Sequence, residues 1–264
     1  MPVLRAAFYA LLLAVVGAAA WTLWLPDPAP LKKNPPQTTA YIELRKRQAK
    51  AAGKPFSLRW TFVPLGAVSE RLKDAVVTAE DDGFWRHTGV DWAAQRVAWE
   101  RNISDKKLAH GGSTITQQLA RNLYLSPSRN PLRKIKEALI ARRLEKVLGK
   151  RRILELYLNV AEWGPGVFGC EAAAQAYFGK SASELTPDEA VAMAVVLPNP
   201  RRWSPAKRGP YVERNSRRII GRMRASGSWP EELDPEDADT AFEEIALSTP
   251  SAAGSEESTD EDAP

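Results

Sequence analysis

Apolar residues recur at helical spacing along most of this chain. Between residues 70 and 80 the apolar positions include Leu72, Ala75, Val76 and Ala79. They share one face of a helix with 3.6 residues per turn, and Ser69 can accept a hydrogen bond from its first free N–H groups. The pattern therefore predicts an amphipathic helix that ends at Glu80.

The same periodicity, combined with capping residues, predicts most of the remaining structure. Further helices are expected from Asp91 to Trp99, Ser113 to Leu123, Asn130 to Gly149, over 150–158 and 171–177, from Thr186 to Leu197 and from Tyr211 to Met223. Proline follows Asn130 at the favoured first helical position, and Thr186 begins a Thr-x-x-Glu capping box. Only 57–63 has a weak strand pattern, so the predicted fold class is mostly α.

The N-terminal segment is almost entirely apolar from Ala6 to Leu25. A run of about 20 apolar residues is long enough to cross a bilayer core as a helix, and Trp21 and Trp24 stand where interfacial aromatic residues are common. A cleaved signal peptide is the alternative, because Ala18-Ala19-Ala20 resembles a cleavage site. Since the apolar run continues to Leu25, an uncleaved anchor is favoured.

Composition divides the chain into four parts. An N-terminal transmembrane anchor (1–25) precedes a Pro- and Thr-rich linker (26–40), a helical body (41–227) and an acidic tail (228–264) that is predicted to be disordered. Residues 231–264 hold 13 of the 32 acidic residues and none of the 37 Lys and Arg residues, which leaves the rest of the chain with a net charge of +18. Such a body favours anionic partners: nucleic acid, membrane surfaces or phosphorylated substrates. The lone Cys170 excludes an intrachain disulfide.

Two adjacent acids, Glu80 and Asp81, end the first helix of the body. Neighbouring helical residues do not share a face, so one is expected to act on substrate while the other holds local structure. Phe84 and Trp85 can raise the pKa of a nearby carboxyl by desolvation, toward the range useful for a general base. A solvated helix end is the alternative interpretation.

A polar loop follows at 111–118, with the sequence Gly-Gly-Ser-Thr-Ile-Thr-Gln-Gln. Its glycines let the backbone turn sharply and approach a ligand. Its side chains Ser113, Thr114, Thr116, Gln117 and Gln118 offer neutral donors and acceptors at a helix start, which suits sugar hydroxyls or a diphosphate. An ordinary glycine turn before a capped helix is the alternative.

A group of cations comes next. It comprises Arg121, Arg129, Arg133, Lys134 and Lys136, with the acid Glu137 among them. A diphosphate leaving group gains negative charge as its bond to a sugar breaks, and fixed cations at that point lower the barrier. A solvated basic helix is the alternative.

Four segments in this order resemble the motifs of the peptidoglycan glycosyltransferase family. They are Glu80-Asp81 with Phe84, His87 and Gly89; 111–118; Arg133-Lys134-Ile135-Lys136-Glu137; and 150–159, with a weaker fifth match at Arg217-Arg218-Ile219-Ile220 and Met223. The resemblance covers roughly residues 60 to 225. It is nearest to the monofunctional biosynthetic form of a domain that also occurs in bifunctional penicillin-binding proteins.

The resemblance implies a lysozyme-like helical fold on the outer face of the cytoplasmic membrane, acting on lipid II in cell-wall biogenesis. Glu80 would be the general base that deprotonates the acceptor 4-hydroxyl, and attack would invert an α-linked diphosphate into a β-1,4 bond. Glu137 would be the second acid, near the donor diphosphate, where it either organises a divalent metal and cations or assists the leaving group. The family leaves a divalent cation, Mg²⁺ or Mn²⁺, open as a cofactor, with Glu137 as its candidate ligand.

The resemblance also sorts the remaining site residues. Substrate contacts are expected from Ser113, Thr114, Gln117, Gln118, Arg121, Arg129, Arg133, Lys134 and Lys136. Structural roles beside the site are expected for Asp81, Phe84, His87, Gly89, Glu155 and Asn159. Arg121 departs from the lysine of many relatives, which changes contact geometry while keeping the charge. Expected partners are lipid II, the growing glycan strand, the membrane and other cell-wall synthesis or division proteins, but no nucleic acid.

Other motifs in the chain give weaker evidence of function. Residues 164–169 match G-x-G-x-x-G but follow a helix instead of a strand, so a dinucleotide site is not expected. Residues 104–107 match S-x-x-K, yet no K-T-G follows, which argues against transpeptidation. His87 and His110 are interpreted as structural. Trp85, Trp92 and Trp99 recur every seven residues and indicate either a lipid- or cleft-facing surface or a buried core.

A lytic enzyme and an inactive membrane-tethered scaffold remain the alternative functions.

Overall fold

The computed structural model describes residues 2–23, 25–104, 112–127 and 130–230. In this part of the chain the helices are α1 (Pro2–Leu23), α2 (Ala40–Ala51), α3 (Glu70–Glu80), α4 (Trp92–Ser104), α5 (Ile115–Tyr124), α6 (Pro131–Leu148), α7 (Lys150–Val160), α8 (Cys170–Phe178), α9 (Pro187–Val196) and α10 (Pro210–Ala225). The strands are β1 (Arg59–Trp60), β2 (Glu162–Gly164) and β3 (Val167–Phe168). The predicted mostly α class is confirmed.

Most predicted helix starts carry the expected caps. The Ser69 hydroxyl accepts from the Arg71 N–H at the start of α3, Asn130 caps α6, and Thr186 forms the predicted capping box with Glu189. One cap was assigned to the wrong residue. Helix α5 is capped by Thr114, not Ser113, and Thr114 forms a capping box with Gln117.

The core lies where α3, α9 and α10 pack together and where α5 packs on α6 and α7. Helix α9 is buried along its length from Asp188 to Val196, as its largely apolar sequence requires. Helices α5 and α7 each bury one face and leave the other exposed or partly exposed. Helix α5 contacts the end of α3 through the bond between Gln118 and Glu80, and it also packs on the cationic helix α6.

A small sheet closes one side of the body. β3 is central, pairing in parallel with β1 and antiparallel with β2. The glycine-rich segment 164–169 runs from the end of β2 through β3, so it follows a short strand and not α7 directly, and the expectation that it follows a helix is wrong. At Gly166 the backbone has φ +73°, and an added Cβ would meet the Ser57 carbonyl oxygen at 2.3 Å.

The exposed tryptophans settle one alternative. Trp85, Trp92 and Trp99 have 54%, 68% and 64% of their surface exposed. The buried-core interpretation of these residues is therefore wrong. Helix α4, which carries the last two, extends to Ser104, five residues beyond its expected end.

The ends of the body differ from the expected boundaries. Within the predicted linker, Leu31 is buried and its carbonyl oxygen accepts from Arg152 Nε at 2.7 Å. At the other end Trp229 is buried, two residues into the predicted tail. The remainder of that tail, 231–264, lies outside the described residues.

The first helix covers most of the predicted anchor. Among the described residues, no helix combines the length and hydropathy needed to span a membrane. Met1 and Trp24 of the predicted anchor lie outside those residues.

Candidate active site

Glu80 and Asp81 direct their carboxylates to different partners. Glu80 is the last residue of α3, and Asp81 leaves the helical conformation with φ −165° and ψ 75°. Gln118 Nε2 on α5 donates to Glu80 Oε2 at 2.7 Å, whereas Asp81 bonds to His87 and to the start of α5. The two side chains thus point to different partners, as expected for neighbouring residues at a helix end, and the predicted action of one of them on substrate stays a prediction.

Glu80 belongs to a chain of hydrogen bonds that crosses three helices. Gln118 donates to Glu80, and Gln118 Oε1 accepts from the hydroxyl of Tyr157 on α7 at 3.1 Å. Tyr157 is fully buried, and burial together with the charge of Glu80 raises the pKa of its hydroxyl far above the usual value. The tyrosine therefore stays a donor, which fixes the orientation of the Gln118 amide.

The pKa of Glu80 is raised. Burial is the main cause, because desolvation disfavours the carboxylate, and the neighbouring charge of Asp81 adds to it. The Gln118 hydrogen bond and the charge of Arg121 act in the opposite direction. The net effect is a pKa above the ordinary value, so this carboxyl binds a proton more readily than a solvated glutamate. Glu80 is also partly exposed.

Asp81 ties the loop after α3 to the start of α5. Both of its oxygens lie 3.0 Å from His87 Nε2, and Oδ2 accepts from the Ile115 N–H at 2.9 Å. Phe84 is fully buried beneath this loop, and the Gly89 carbonyl oxygen accepts from Thr114 Oγ1 at 2.6 Å. These contacts join Asp81, Phe84, His87 and Gly89 to the start of α5 and to the core, and the structural role predicted for the four residues stays a prediction.

The polar loop is divided between structural and surface positions. Gly111 lies outside the described residues. Thr114 and Gln117 are buried, and Gln117 Oε1 accepts from the Thr114 N–H and from Gln95 Nε2. Their hydrogen-bonding groups are thus engaged within the fold. Ser113, one residue earlier, is half-buried and accepts from Lys134 Nζ at 2.8 Å.

The cationic helix surrounds a fully buried acid. Glu137 accepts from Arg133 Nη1 and from Lys134 Nζ, each at 2.5 Å. Lys136 is also buried. Because Lys134 bonds to Ser113 as well, the loop before α5 and the first turns of α6 are held together. Arg129 lies outside the described residues.

Arg121 is placed near Glu80 by helix α5. Its charge lowers the pKa of Glu80, and its buried Nε has no hydrogen-bond partner in the described part of the chain. A buried donor of this kind is normally satisfied in a working protein. Arg121 thus keeps one unsatisfied donor close to the Glu80 carboxyl.

Comparison with known proteins agrees with this arrangement. The model of the transglycosylase family matches residues 49–224. The chain belongs to the transglycosylase family. The predicted family resemblance is thereby confirmed, and the matched range contains every described site residue.

Relatives within the transglycosylase family are similar over most of their length. The biosynthetic peptidoglycan transglycosylase of Aromatoleum aromaticum is 50% identical over 188 residues, which are 71% of this chain and 81% of that protein. That of an Azoarcus species is 46% identical over 215 residues, covering 81% and 93%. That of Nitrosospira multiformis is 44% identical over 195 residues, covering 74% and 84%.

Two residues of the fourth motif bind the chain segment that precedes α3. Asn159 is buried, and it accepts from the Val63 N–H and donates to the Val63 carbonyl oxygen. Glu155 accepts from the Leu65 N–H at 2.8 Å and pairs with Arg152. Both side chains fasten the segment before α3 to α7, and the structural role predicted for them stays a prediction.

The described residues do not fit a metal site. None of them forms a group of three or more His, Cys, Asp or Glu side chains suited to a metal ion. Glu137, the candidate ligand, has one carboxylate oxygen bonded to Arg133 and the other to Lys134. A carboxylate whose two oxygens are both bonded to cations is a poor ligand for a divalent cation, so no step of the reaction is assigned to a metal.

Sequence reasoning missed Tyr157. It stands inside the fourth motif, where only Glu155 and Asn159 were singled out. A hydroxyl within an otherwise apolar helix face is a usable signal, because a buried tyrosine hydroxyl normally finds a partner. The identity of that partner, Gln118, follows only from the packing of α5 on α7.

Proposed function

We propose that this protein polymerises lipid II into β-1,4-linked glycan strands and releases undecaprenyl diphosphate. Family membership makes the chain a peptidoglycan glycosyltransferase. The observation that carries the finer proposal is the Glu80 carboxyl, which is desolvated, fixed by Gln118 and close enough to Arg121 for that charge to act on it.

In the proposed reaction Glu80 takes the proton of the acceptor 4-hydroxyl. The freed oxygen attacks the anomeric carbon of the donor, a new C–O bond forms, and the bond to the diphosphate breaks with its electron pair. Attack from the opposite face converts the α-linked diphosphate into a β-glycoside. The raised pKa of Glu80 supports this role, since a base is most effective when its pKa lies near the working pH.

The cations are proposed to hold the diphosphate as it leaves. Arg121, Arg129 and Lys136 are the proposed phosphate contacts, because fixed positive charge stabilises the charge that develops there. Glu137 is proposed to position Arg133 and Lys134, and the two charge-assisted hydrogen bonds to its buried carboxylate support this.

We place the catalytic body on the outer face of the cytoplasmic membrane, attached by its N-terminal segment. In α1 the side chains of Phe8, Leu11, Leu13 and Val16 are more than half exposed, as suits contact with lipid. A substrate with a long isoprenoid tail stays in the bilayer, so attachment brings enzyme and substrate to one surface. Substituting Leu12→Arg should release protein from membranes during carbonate extraction, and full retention would contradict attachment through α1.

The decisive experiment is incubation of the purified full-length protein with lipid II. Long glycan chains, resolved on gels and degraded by a β-1,4-muramidase, are the expected product. Fragmentation of finished peptidoglycan without any polymerisation would instead identify a lytic enzyme. If the protein is inactive in both assays although its circular dichroism spectrum shows that it is folded, the alternative of an inactive membrane-tethered scaffold is favoured.

A further inference from the structure

A basic cleft is lined by residues that follow Asp81 in the chain and by residues of α6. It has a volume of about 940 Å³ and lies between the loop after α3 and the second half of α6. The side chains that define it are Trp85, Arg86, Arg142, Arg143 and Lys146. None of these residues has a place in the proposed reaction.

The positive charge of the basic cleft is not neutralised from within. Glu145, the acidic residue of its lining, accepts from Lys150 Nζ and from Thr116 Oγ1, each at 2.6 Å. Lys150 in turn lies over the Phe84 ring. This acid is therefore bonded to Lys150 and Thr116, and among the described residues it forms no ion pair with Arg86, Arg142 or Lys146.

Three of those cations have no structural task. Arg86, Arg142 and Lys146 are exposed, and they make no ion pair or side-chain hydrogen bond with the described residues. Solvated cations are common on protein surfaces, but here they share one concave wall. A ligand with negative charge would meet all three at once, at little cost in desolvation.

An exposed aromatic ring borders the same cleft. Trp85 has 54% of its surface exposed, although its edge packs against Phe84. A tryptophan with an apolar ring and a polar N–H is favoured at the boundary between lipid and water. An apolar ring beside clustered cations suits a ligand that has both an anionic and an apolar part.

The position of the basic cleft relates it to the N-terminal segment. Arg143 forms an ion pair of 3.8 Å with Asp27, which follows the end of α1 at Leu23 by four residues. If α1 attaches the protein to a membrane, Asp27 lies where the chain leaves the apolar layer. The basic cleft then stands at the level of the lipid headgroups.

We propose that the basic cleft binds the anionic phosphate headgroup of a membrane glycerophospholipid. The proposal rests on the membrane attachment proposed above and is independent of the polymerisation reaction. Cations near an anionic bilayer surface each strengthen binding by about fivefold. Three unpaired cations in one cleft should together give a preference of about tenfold or more for an anionic over a zwitterionic lipid.

The test uses the full-length protein in detergent with an equimolar mixture of phosphatidylglycerol and phosphatidylcholine of matched acyl chains. Native mass spectrometry then counts the lipids that remain bound, and no lipid II is needed. We expect phosphatidylglycerol to be retained preferentially. The combined substitution Arg86→Gln, Arg142→Gln and Lys146→Gln should reduce that preference to near unity.

A charge-matched control separates the basic cleft from general surface charge. Arg47, Lys50 and Lys54 are exposed, lie outside the cleft and make no ion pair with the described residues. Changing all three to Gln should leave the lipid preference intact. An equal loss in both triple variants would overturn the proposal, as would equal retention of the two lipids by the wild type.

Flotation with vesicles of pure phosphatidylcholine identifies which premise fails. Protein that does not float has no apolar attachment, and the headgroup site is overturned with it. Protein that floats but shows no lipid preference overturns the headgroup site alone. Absence of polymerisation in a protein that floats and selects phosphatidylglycerol would support the headgroup site and contradict only the proposed reaction.

Discussion

Glu80 and Gln118 lie 38 residues apart in the chain and are joined by a hydrogen bond of 2.7 Å. The bond connects the end of α3 to the middle of α5. Because Tyr157 donates to the other end of the Gln118 amide, the amide cannot flip without losing both bonds. The carboxyl is thus held by a neutral donor that favours its ionised form without removing its ability to accept a proton.

Glu80→Gln is expected to abolish polymerisation while preserving the fold. Glutamine keeps the shape and an oxygen acceptor for Gln118 but cannot take the acceptor proton. Loss of a general base lowers rates by about 100- to 10,000-fold. Lipid II turnover and far-UV circular dichroism check the two parts of this prediction.

Glu70→Gln is the matched control for that variant. Glu70 stands at the start of the same helix, and its side chain is 80% exposed in its pair with Lys73. Its substitution should leave turnover unchanged. Wild-type turnover by the Glu80 variant would refute the role of the base, whatever the control does.

Gln118→Leu is expected to move the acidic limb of the pH–rate profile to higher pH. The Gln118 bond lowers the pKa of Glu80, so its loss raises that pKa further and more enzyme is protonated at neutral pH. Activity should therefore recover as pH rises, which a purely structural defect would not produce. Gln175→Leu, an exposed change on α8, should leave the profile in place; an unshifted profile in the Gln118 variant would contradict the mechanism.

Local signals explain why most helices could be predicted. Ser69 and Thr186 cap helices through bonds to N–H groups two or three residues away, and such contacts are encoded in a short stretch of sequence. Ser113 and Thr114 are both favourable N-cap residues, with serine slightly preferred. The choice between them depends on the Gly89 carbonyl oxygen, which binds Thr114 from 25 residues away.

Long-range contacts explain what was missed. Helix α2 buries only Ile42, so its sequence lacks an apolar stripe. It is fastened by an ion pair of 2.6 Å between Arg45 and Glu162, 117 residues apart. The sequence motifs were enough to predict Glu80 as a site residue. The hydrogen bond from Tyr157 to Gln118 depends on the packing of α7 on α5, which no short sequence pattern predicts.

Glu137→Gln is expected to lower both stability and turnover. The change leaves Arg133 and Lys134 without their counter-charge, and loss of charged hydrogen bonds to a buried group costs about 1–3 kcal/mol. If Glu137 positions the phosphate-binding cations, kcat should fall more than KM changes. Thermal unfolding and steady-state kinetics measure the two effects.

Glu162→Gln provides a control of similar burial. Glu162 is buried and paired with Arg45 away from the cationic helix. Its substitution should lower the unfolding temperature and leave kcat unchanged at a temperature where the variant is folded. If kcat falls equally in Glu137→Gln and Glu162→Gln, Glu137 contributes to stability only and does not position the phosphate-binding cations.

Gly89→Ala should destabilise the protein more than Gly53→Ala. Both glycines have positive φ, +96° and +63°, so an L-residue is strained by about 1–2 kcal/mol at either. Only at Gly89 would the new Cβ also meet backbone, 3.0 Å from the Ala141 carbonyl carbon; at Gly53 nothing lies within 4 Å. The urea concentration at the midpoint of unfolding should be lower for Gly89→Ala than for Gly53→Ala. Equal midpoints would show that the backbone at Ala141 can shift without loss of stability.

The raised pKa of Glu80 also predicts a stability effect with a defined sign. In the unfolded chain this carboxyl titrates near its ordinary value of 4.5, and in the fold its pKa lies higher. As pH rises past that ordinary value, the unfolded chain releases the proton first, so the wild type loses stability until the folded pKa is passed. Glu80→Gln has no such proton, and its unfolding temperature should match the wild type below pH 4.5 and exceed it increasingly toward neutral pH. A difference in unfolding temperature that stays constant across this range would show that the fold does not disfavour the ionised base.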